Sequence, residues 1–231
     1  MTRILDAARM HTVAWLGQLA WPWAIMGLSL GINILIFAAI DSAAPGKNTT
    51  GGLASLYIVC AIVAAASISQ VFPFALGMGV TRRTFYLATV LVNVVQAVVY
   101  GVLLYLLNLV EGATDGFGTQ LRFFRAPYID VDNGLLQIAV YAVPFLCLNF
   151  LSIFTAVWYV RFGMNGLFAA GAAMILGSGL LVALIIWQGW FGDIWQWLSS
   201  QHQASLLVGW PALVAAVAAL GGMVAIRRAN A

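Results

Sequence analysis

The sequence predicts an all-helical membrane protein with six transmembrane helices and both termini on the cytoplasmic side. Of its 231 residues 63% are hydrophobic and only 7% are charged, with a mean hydropathy of +0.99. A soluble domain normally carries about 25% charged residues. The apolar runs are continuous and long, as membrane helices of about 20 residues require. They lack the alternation that is typical of membrane β-barrel strands.

The chain opens with an imperfect amphipathic pattern over residues 3–18. Leu5 and Trp15 fall on one side of a helix, whereas Arg3 and Arg9 lie off that side. Such a pattern favours a helix on the cytoplasmic membrane surface. The alternative is a simple lead-in to the first span. No cleavable leader is predicted, because no compact apolar core precedes a small-residue cleavage site.

Six stretches are apolar enough to span a bilayer, and together they define a single transmembrane domain over residues 1–231. The predicted spans are 21–40, 53–72, 84–110, 135–160, 166–187 and 206–226. Polar linkers at 41–52, 111–134 and 161–166 separate some of them. The segment 187–203 is rich in tryptophan, too short to span and too aromatic for a free loop. It predicts a helix in, or dipping into, the outer interface.

The distribution of basic residues sets the orientation, because cytoplasmic loops are enriched in Lys and Arg. With the N-terminus inside, the inner side carries seven of the ten basic residues and the outer side three. The inner set is Arg3, Arg9, Arg82, Arg83, Arg161, Arg227 and Arg228, and the outer set is Lys47, Arg122 and Arg125. The sequence therefore predicts a multi-pass membrane protein with both termini in the cytoplasm.

Catalytic chemistry is not predicted. No span carries an ionisable residue near its middle, where such groups usually mark function. His11 and His202 fall on opposite sides, so they cannot share a metal ion. The segment "APGKNTT" departs from a phosphate-binding loop. The net charge of +3 rests on ten basic residues at segment ends and indicates no nucleic-acid partner.

Polar and small side chains inside the spans have two interpretations. Asn93, Gln96 and Tyr100 share one face of the third span, and Asn149 lies in the fourth. Hydrogen bonding between helices is preferred over a solvated transport path. A stripe of small residues on the fifth span allows close helix approach, either within the chain or against a second copy; it comprises Ala169, Ala173 and Gly177.

The adjacent arginines Arg82 and Arg83 are unusual in so apolar a chain. Thr81 is suited to cap the third helix, which places both cations in its first turn, where they oppose the helix dipole. Two interpretations remain open. The pair holds the loop inside by contacting anionic lipid, or it docks a cytoplasmic partner.

The segment "FALGMGVTRRTFYLATVL" resembles the first cytoplasmic loop of permease subunits in ABC exporters of the ABC-2 type. That family has six spans, an N-terminal interfacial helix, a short coupling helix after the second span and a re-entrant element before the sixth. The corresponding parts here are residues 3–18, 74–84 and 187–203. The resemblance covers the layout of the whole chain and is specific in sequence only around residues 79–89.

The resemblance implies a subunit that uses ATP and Mg²⁺ bound in a partner chain and holds no cofactor itself. Two cytoplasmic ATP-binding subunits would dock below a pair of permeases, either two copies of this chain or this chain with a sister permease. The implied coupling loop comprises Gly77, Gly79, Val80, Thr81, Arg82 and Arg83. Secondary contacts would come from Arg3, Arg9, Arg161 and Asn165. Possible path or dimer-packing residues are Ala64, Ser67, Asn93, Gln96, Ala169, Ala173 and Gly177. The implied cargo is hydrophobic or amphipathic, such as a drug, a peptide or a lipid.

Three other functions are compatible with the sequence. A substrate-capturing membrane subunit of an energy-coupling vitamin importer would also lack an ATP site, but it would need a polar pocket near the outer face. An intramembrane enzyme is disfavoured by the missing ionisable residues. A structural or regulatory membrane protein remains open.

Overall fold

The computed structural model describes residues 15–40 and 48–227. All regular secondary-structure elements in these ranges are helices, which confirms the predicted all-helical class. The helices are α1 (Trp15–Ile40), α2 (Ala54–Gly77), α3 (Arg82–Ala113), α4 (Gly134–Gln188), α5 (Phe191–Ser200) and α6 (Trp210–Ile226). A turn with left-handed residues at Gly116–Gln120 follows α3, and a short π-helical turn at Ser205–Gly209 precedes α6. An isolated β-bridge joins Thr49 to Arg122.

Five helical stretches in the described ranges are long and apolar enough to cross a membrane. They are Ala20–Ala39, Ala54–Gly77, Arg82–Ala113, Gly134–Gln188 and Ser205–Ile226. Their outward faces expose large apolar side chains, including Leu35 at 71%, Ile175 at 73% and Leu220 at 69%. Apolar surface on this scale is unfavourable in water. The structure is therefore compatible with a multi-pass membrane protein.

Helix α4 is interrupted at a single residue. It has 55 residues, and Gly163 inside it has φ 68° and ψ −170°, which is not a helical conformation. Glycine adopts this region without a Cβ penalty. The predicted linker 161–166 is thus reduced to one non-helical residue. We call residues 134–162 the first limb of α4 and residues 164–188 its second limb.

The predicted coupling helix at 74–84 does not form as a separate element. Helix α2 continues through Pro73 to Gly77, and α3 begins at Arg82. Gly79, two residues after the end of α2, has a left-handed φ of 81°. The Gly79 amide bonds to the Leu76 carbonyl, and the Val80 amide bonds to that of Ala75. This is the Schellman arrangement, in which a left-handed glycine satisfies the last carbonyls of a helix.

The tryptophan-rich segment forms a helix, but a shorter one than predicted. Gly189, with φ 71°, ends α4, and α5 then occupies only Phe191–Ser200. Trp197 and Trp210 pack edge to face with ring centroids 5.7 Å apart. Helix α5 is thus a separate element between α4 and α6.

Buried side chains form two clusters along the bundle. One joins α2, α3, the first limb of α4 and α6, and includes Phe72, Phe85 and Ile226. The other joins α1, α2, α3 and the first limb to the segment that follows α3, and includes Tyr100 and Phe123. The second limb of α4 has no buried residue.

Part of the predicted surface helix lies outside the described residues. This applies to residues 3–14, including Arg3 and Arg9. Residues 15–18, the end of the predicted segment, belong to α1.

The Gly222→Val substitution is expected to destabilise the bundle by about 1–3 kcal/mol, the usual cost of overpacking. A Cβ at Gly222 would collide with the Tyr86 hydroxyl, which donates a 2.7 Å hydrogen bond to the Ala219 carbonyl between α3 and α6. Thermal unfolding in detergent measures the effect. Gly31→Val is the matched control, because a Cβ at Gly31 meets nothing within 4 Å. Equal melting temperatures for the two variants would contradict this packing.

Candidate functional site

The two ends of the bundle differ in charge. Arg82 and Arg83 begin α3 at the end where Arg161 and Arg227 also lie, and the described residues place no Asp or Glu there. The opposite end holds the segment 111–134 with most of the acidic residues. We call these the basic end and the acidic end. The acidic end has a cavity lined by charged residues, and the basic end has exposed and hydrogen-bonded arginines.

The acidic end is organised by the carboxylate of Glu111. This side chain is 2% exposed and lies in the last turn of α3. Its Oε2 accepts hydrogen bonds from the amides of Phe123 at 3.0 Å and Phe124 at 2.7 Å, and its Oε1 accepts one from Arg125 at 3.0 Å. Three amide donors compensate the burial of one charge. Glu111 therefore holds residues 123–125 against the end of α3.

The segment so held closes the acidic end with two aromatic rings. Phe123 and Phe124 are both fully buried and pack against each other with centroids 4.9 Å apart. They belong to the same cluster as Leu53, Leu104 and Phe145, which come from the start of α2, from α3 and from the first limb of α4. A Cβ at Gly52 would collide with the Phe123 ring. The rings therefore form a plug across this end of the bundle.

Side chains from α4 hold the same segment from the other side. The Tyr141 hydroxyl donates to the Phe124 carbonyl at 2.7 Å and accepts from the Asn108 amide at 2.9 Å. The buried Gln137 side chain accepts from the Val131 amide at 2.7 Å and donates to the Ile129 carbonyl at 3.0 Å. The predicted linker 111–134 is thus an ordered cap and not a plain connector.

A cavity of about 440 Å³ opens beside this cap. It is lined by Glu111, Gly112, Asp115, Gly116, Gln120, Leu121, Arg122, Arg125 and Asp130. Arg125 and Asp130 form an ion pair at 3.2 Å. Within residues 15–40 and 48–227, no group of three or more His, Cys, Asp or Glu side chains could hold a metal ion.

At the basic end, the two adjacent arginines have different surroundings. Thr81 caps α3 as predicted, because its hydroxyl accepts from the Thr84 amide at 3.2 Å. The Arg82 guanidinium donates to the main-chain carbonyl of Arg227 at 3.2 Å, at the C-terminal end of α6. That end carries the negative pole of the α6 dipole, which favours a cation. Arg83 is exposed and makes no hydrogen bond or ion pair to the described residues.

The second predicted contact region lies at the break in α4. The Arg161 guanidinium lies over the Phe162 ring, 4.5 Å from its centroid, and Asn165 is exposed. The Trp158 indole donates across the break to the Gly166 carbonyl at 3.1 Å. These contacts fix the direction in which the second limb leaves the first.

The predicted path residues are not brought together in the single chain. Ala64 is buried in the core, whereas the stripe of Ala169, Ala173 and Gly177 is exposed on the second limb. Ser67 and Gln96 are half-buried, and Ser67 donates to the Ala64 carbonyl within its own helix.

The predicted hydrogen bond between spans forms at Asn93. The Asn149 amide of α4 donates to the Asn93 side-chain oxygen of α3 at 3.1 Å, and the Asn93 amide donates to the Thr89 carbonyl at 2.9 Å. Both asparagines are buried. This pair links α3 to the first limb of α4.

An apolar groove of about 470 Å³ runs between α2 and both limbs of α4. Its α2 side is lined by Ala61, Ile62, Ala65, Ala66 and Ser69, and its α4 side by Ser152, Thr155, Ala156, Tyr159 and Leu167. The small residues that line it lie beside the predicted Ala64 and Ser67. Small residues occur on both the core face and the groove face of α2. The composition of this helix therefore did not show which of its small residues line the groove.

Sequence reasoning missed the role of Glu111. A signal was present, because a carboxylate follows an apolar run of more than 25 residues and precedes an aromatic pair in a polar linker. The spacing of these polar residues was a second signal. Asn108 and Glu111 are three positions apart in the sequence, and Gln137 and Tyr141 are four apart, which places each pair on one face of its helix. The linker 111–134 must fold back on α3 before the Glu111 carboxylate can contact any of its amides. The sequence therefore did not predict which amides bind it.

Comparison with models of known protein families, with curated proteins and with solved structures finds no match.

The Glu111→Ala substitution is expected to destabilise the cap by about 2–4 kcal/mol, because three buried amide donors lose their acceptor. Limited proteolysis within residues 114–132 and thermal unfolding in detergent measure the effect. Asp132→Ala is the control, because Asp132 is exposed. Equal protease resistance in both variants would show that the cap does not depend on Glu111.

Arg82→Ala is expected to lower stability by about 0.5–1.5 kcal/mol, through loss of the hydrogen bond to the end of α6. Arg83→Ala, which removes the same charge one residue away, is expected to change stability by less than about 0.5 kcal/mol. Thermal unfolding of both purified variants tests the difference. A larger effect from Arg83→Ala would refute the assignment.

Proposed function

We propose that the chain is the membrane-spanning permease subunit of an ATP-driven exporter of the ABC-2 type, in a bacterial cytoplasmic membrane. The observation that carries the proposal is the basic end. A four-residue turn at 78–81 leads into Arg82 and Arg83, beside Arg161 and Arg227, and the described residues place no acidic side chain there.

The proposal includes six spans. An unbroken α4 would be about 80 Å long at 1.5 Å per residue, against a bilayer core of about 30 Å. The break at Gly163 leaves limbs of about 43 Å and 37 Å. Each limb is long enough to cross the membrane once. If both do, the break beside Arg161 lies on the same side of the membrane as Arg82. Both termini are then cytoplasmic, and α5 lies in the outer interface.

Coupling to a separate ATP-binding subunit would use the exposed part of the basic end. Arg83 and Asn165 are exposed, and Gly79 and Val80 form the turn between α2 and α3. Arg82 ties this turn to the end of α6, so a force on the turn would reach three helices. The partner subunit supplies ATP and Mg²⁺.

The groove between α2 and α4 supports a hydrophobic or amphipathic cargo. Its lining is almost entirely apolar, with hydroxyl groups from Ser69, Ser152, Thr155 and Tyr159. The second limb of α4 is exposed all round over residues 172–184. A second permease, identical or related, would cover part of this surface.

A specific observation favours a second candidate, the substrate-capturing membrane subunit of an energy-coupling vitamin importer. That function needs a polar pocket near the outer face, and the charged cavity beside Glu111 lies at the acidic end. The two candidates differ in the coupling contact. The exporter would use the basic end, whereas the importer subunit would use small residues in the first span.

Co-purification with the ATP-binding subunit encoded beside this chain tests the main proposal. Wild type is expected to retain the ATPase. The double variant Arg82→Ala/Arg83→Ala is expected to lose most of it, and Arg83→Ala alone to lose it by about two- to fivefold, as for an exposed ion pair of up to about 1 kcal/mol. Arg122→Ala is the matched control, because it removes a cation from the acidic end.

Equal membrane insertion of all variants is verified first. Retention of the ATPase by the double variant would contradict docking at the basic end. Loss of the ATPase in Arg122→Ala but not in the double variant would favour a different geometry of assembly.

A further inference from the structure

The cavity beside Glu111 carries opposite charges that are not used by the fold. Arg125 and Asp130 neutralise each other, and the Glu111 carboxylate is bonded to three amides. Asp115 and Arg122 also line the cavity, and their side chains make no hydrogen bond or ion pair to residues in the described ranges. Among the residues that the structure describes, one anion and one cation that line this cavity are therefore left without a side-chain partner.

The walls of this cavity are fixed before any ligand arrives. The Arg122 amide donates to the Asn48 carbonyl at 2.8 Å, and the Thr50 amide donates to the Arg122 carbonyl at 3.4 Å. These are main-chain bonds, so the Arg122 guanidinium is left available while its backbone is held. Preorganised charged groups lose less entropy when they bind.

The backbone that precedes Arg122 in the cavity lining is strained. Asp115 and Gln120 line the cavity with φ of 49° and 54°, and Phe117 between them has φ of 59°. Left-handed conformations are costly for residues other than glycine and cluster at functional sites. Here they end α3 and turn the chain at Asp115, so that Asp115 and Arg122 line the same cavity.

We propose that this cavity binds a small zwitterion, with Arg122 contacting its anionic group and Asp115 its ammonium group. The volume of about 440 Å³ lies within the range of small-molecule sites. The same chemistry occurs in a free amino acid and in the phosphoethanolamine headgroup of a lipid. The site lies one turn beyond an apolar helix, where both sources are within reach. Binding at this site requires no ATP-binding subunit, so its test is independent of the exporter proposal.

Binding of β-alanine and O-phosphoethanolamine to the purified full-length chain in detergent tests the proposal, by isothermal titration. Both zwitterions are expected to bind saturably, whereas acetate and ethylamine, which carry one charge each, are expected to bind at least about tenfold more weakly. Absence of saturable zwitterion binding up to about 10 mM would overturn the proposal.

Two variants test the assigned contacts without disturbing the fold. Arg122→Gln keeps the main-chain bonds of the bridge, and Asp115→Asn keeps a residue type that tolerates positive φ. Each is expected to weaken zwitterion binding by about tenfold with an unchanged melting temperature. Arg83→Gln, at the basic end, is the matched control and is expected to bind as wild type. Unchanged binding in Arg122→Gln and Asp115→Asn would overturn the assignment.

The source of the zwitterion is distinguished in lipid nanodiscs. Nanodiscs of phosphatidylglycerol alone are compared with equimolar phosphatidylethanolamine and phosphatidylglycerol. Loss of O-phosphoethanolamine binding in the mixed nanodiscs identifies a lipid headgroup as the ligand. Equal binding in both identifies a soluble zwitterion.

Discussion

The arrangement of the acidic end depends on one buried carboxylate. Glu111 terminates the apolar part of α3 and accepts three main-chain amides from residues 123–125. A carboxylate in such a place is stable only if hydrogen bonds replace the water it loses. Because the donors are consecutive amides, satisfying the charge also fixes the direction of the chain. The aromatic plug, the ion pair and the cavity all follow from that local geometry.

The basic end is built by a complementary interaction. Cations in the first turn of α3 are unfavourable for that helix, yet Arg82 reaches the carbonyl end of α6, where a cation is favourable. The unfavourable interaction of Arg82 with the α3 dipole is therefore offset by its favourable interaction with the end of α6. This contact links the end of α6 to the turn between α2 and α3. Arg83 gains no such contact and is left at the surface. The neighbouring arginines therefore differ in environment: Arg82 bonds to the end of α6, and Arg83 is exposed.

Between the two ends, the helices need few polar contacts. The Asn93–Asn149 hydrogen bond and the Tyr86 hydroxyl provide specific links, and small residues allow close approach elsewhere. The second limb of α4 has no buried residue and contributes little to the core of one chain. A helix of that kind is stable in lipid because its own backbone hydrogen bonds are satisfied. It leaves a long apolar surface for contact with lipid or with another apolar helix.

The sequence by itself determined the helical class, the approximate positions of the long apolar helices, the Thr81 cap and the separation of basic from acidic segments. These properties depend on local composition and spacing, because hydropathy and capping act over a few residues. Only the tertiary structure decided that α2 continues through Pro73 to Gly77, that α4 breaks at Gly163 alone, and that residues 111–134 form a cap. It also separated Arg82 from Arg83 and Ala64 from the groove. Those outcomes depend on which distant backbone groups each side chain meets, and such contacts are not encoded in the spacing of residues along one segment.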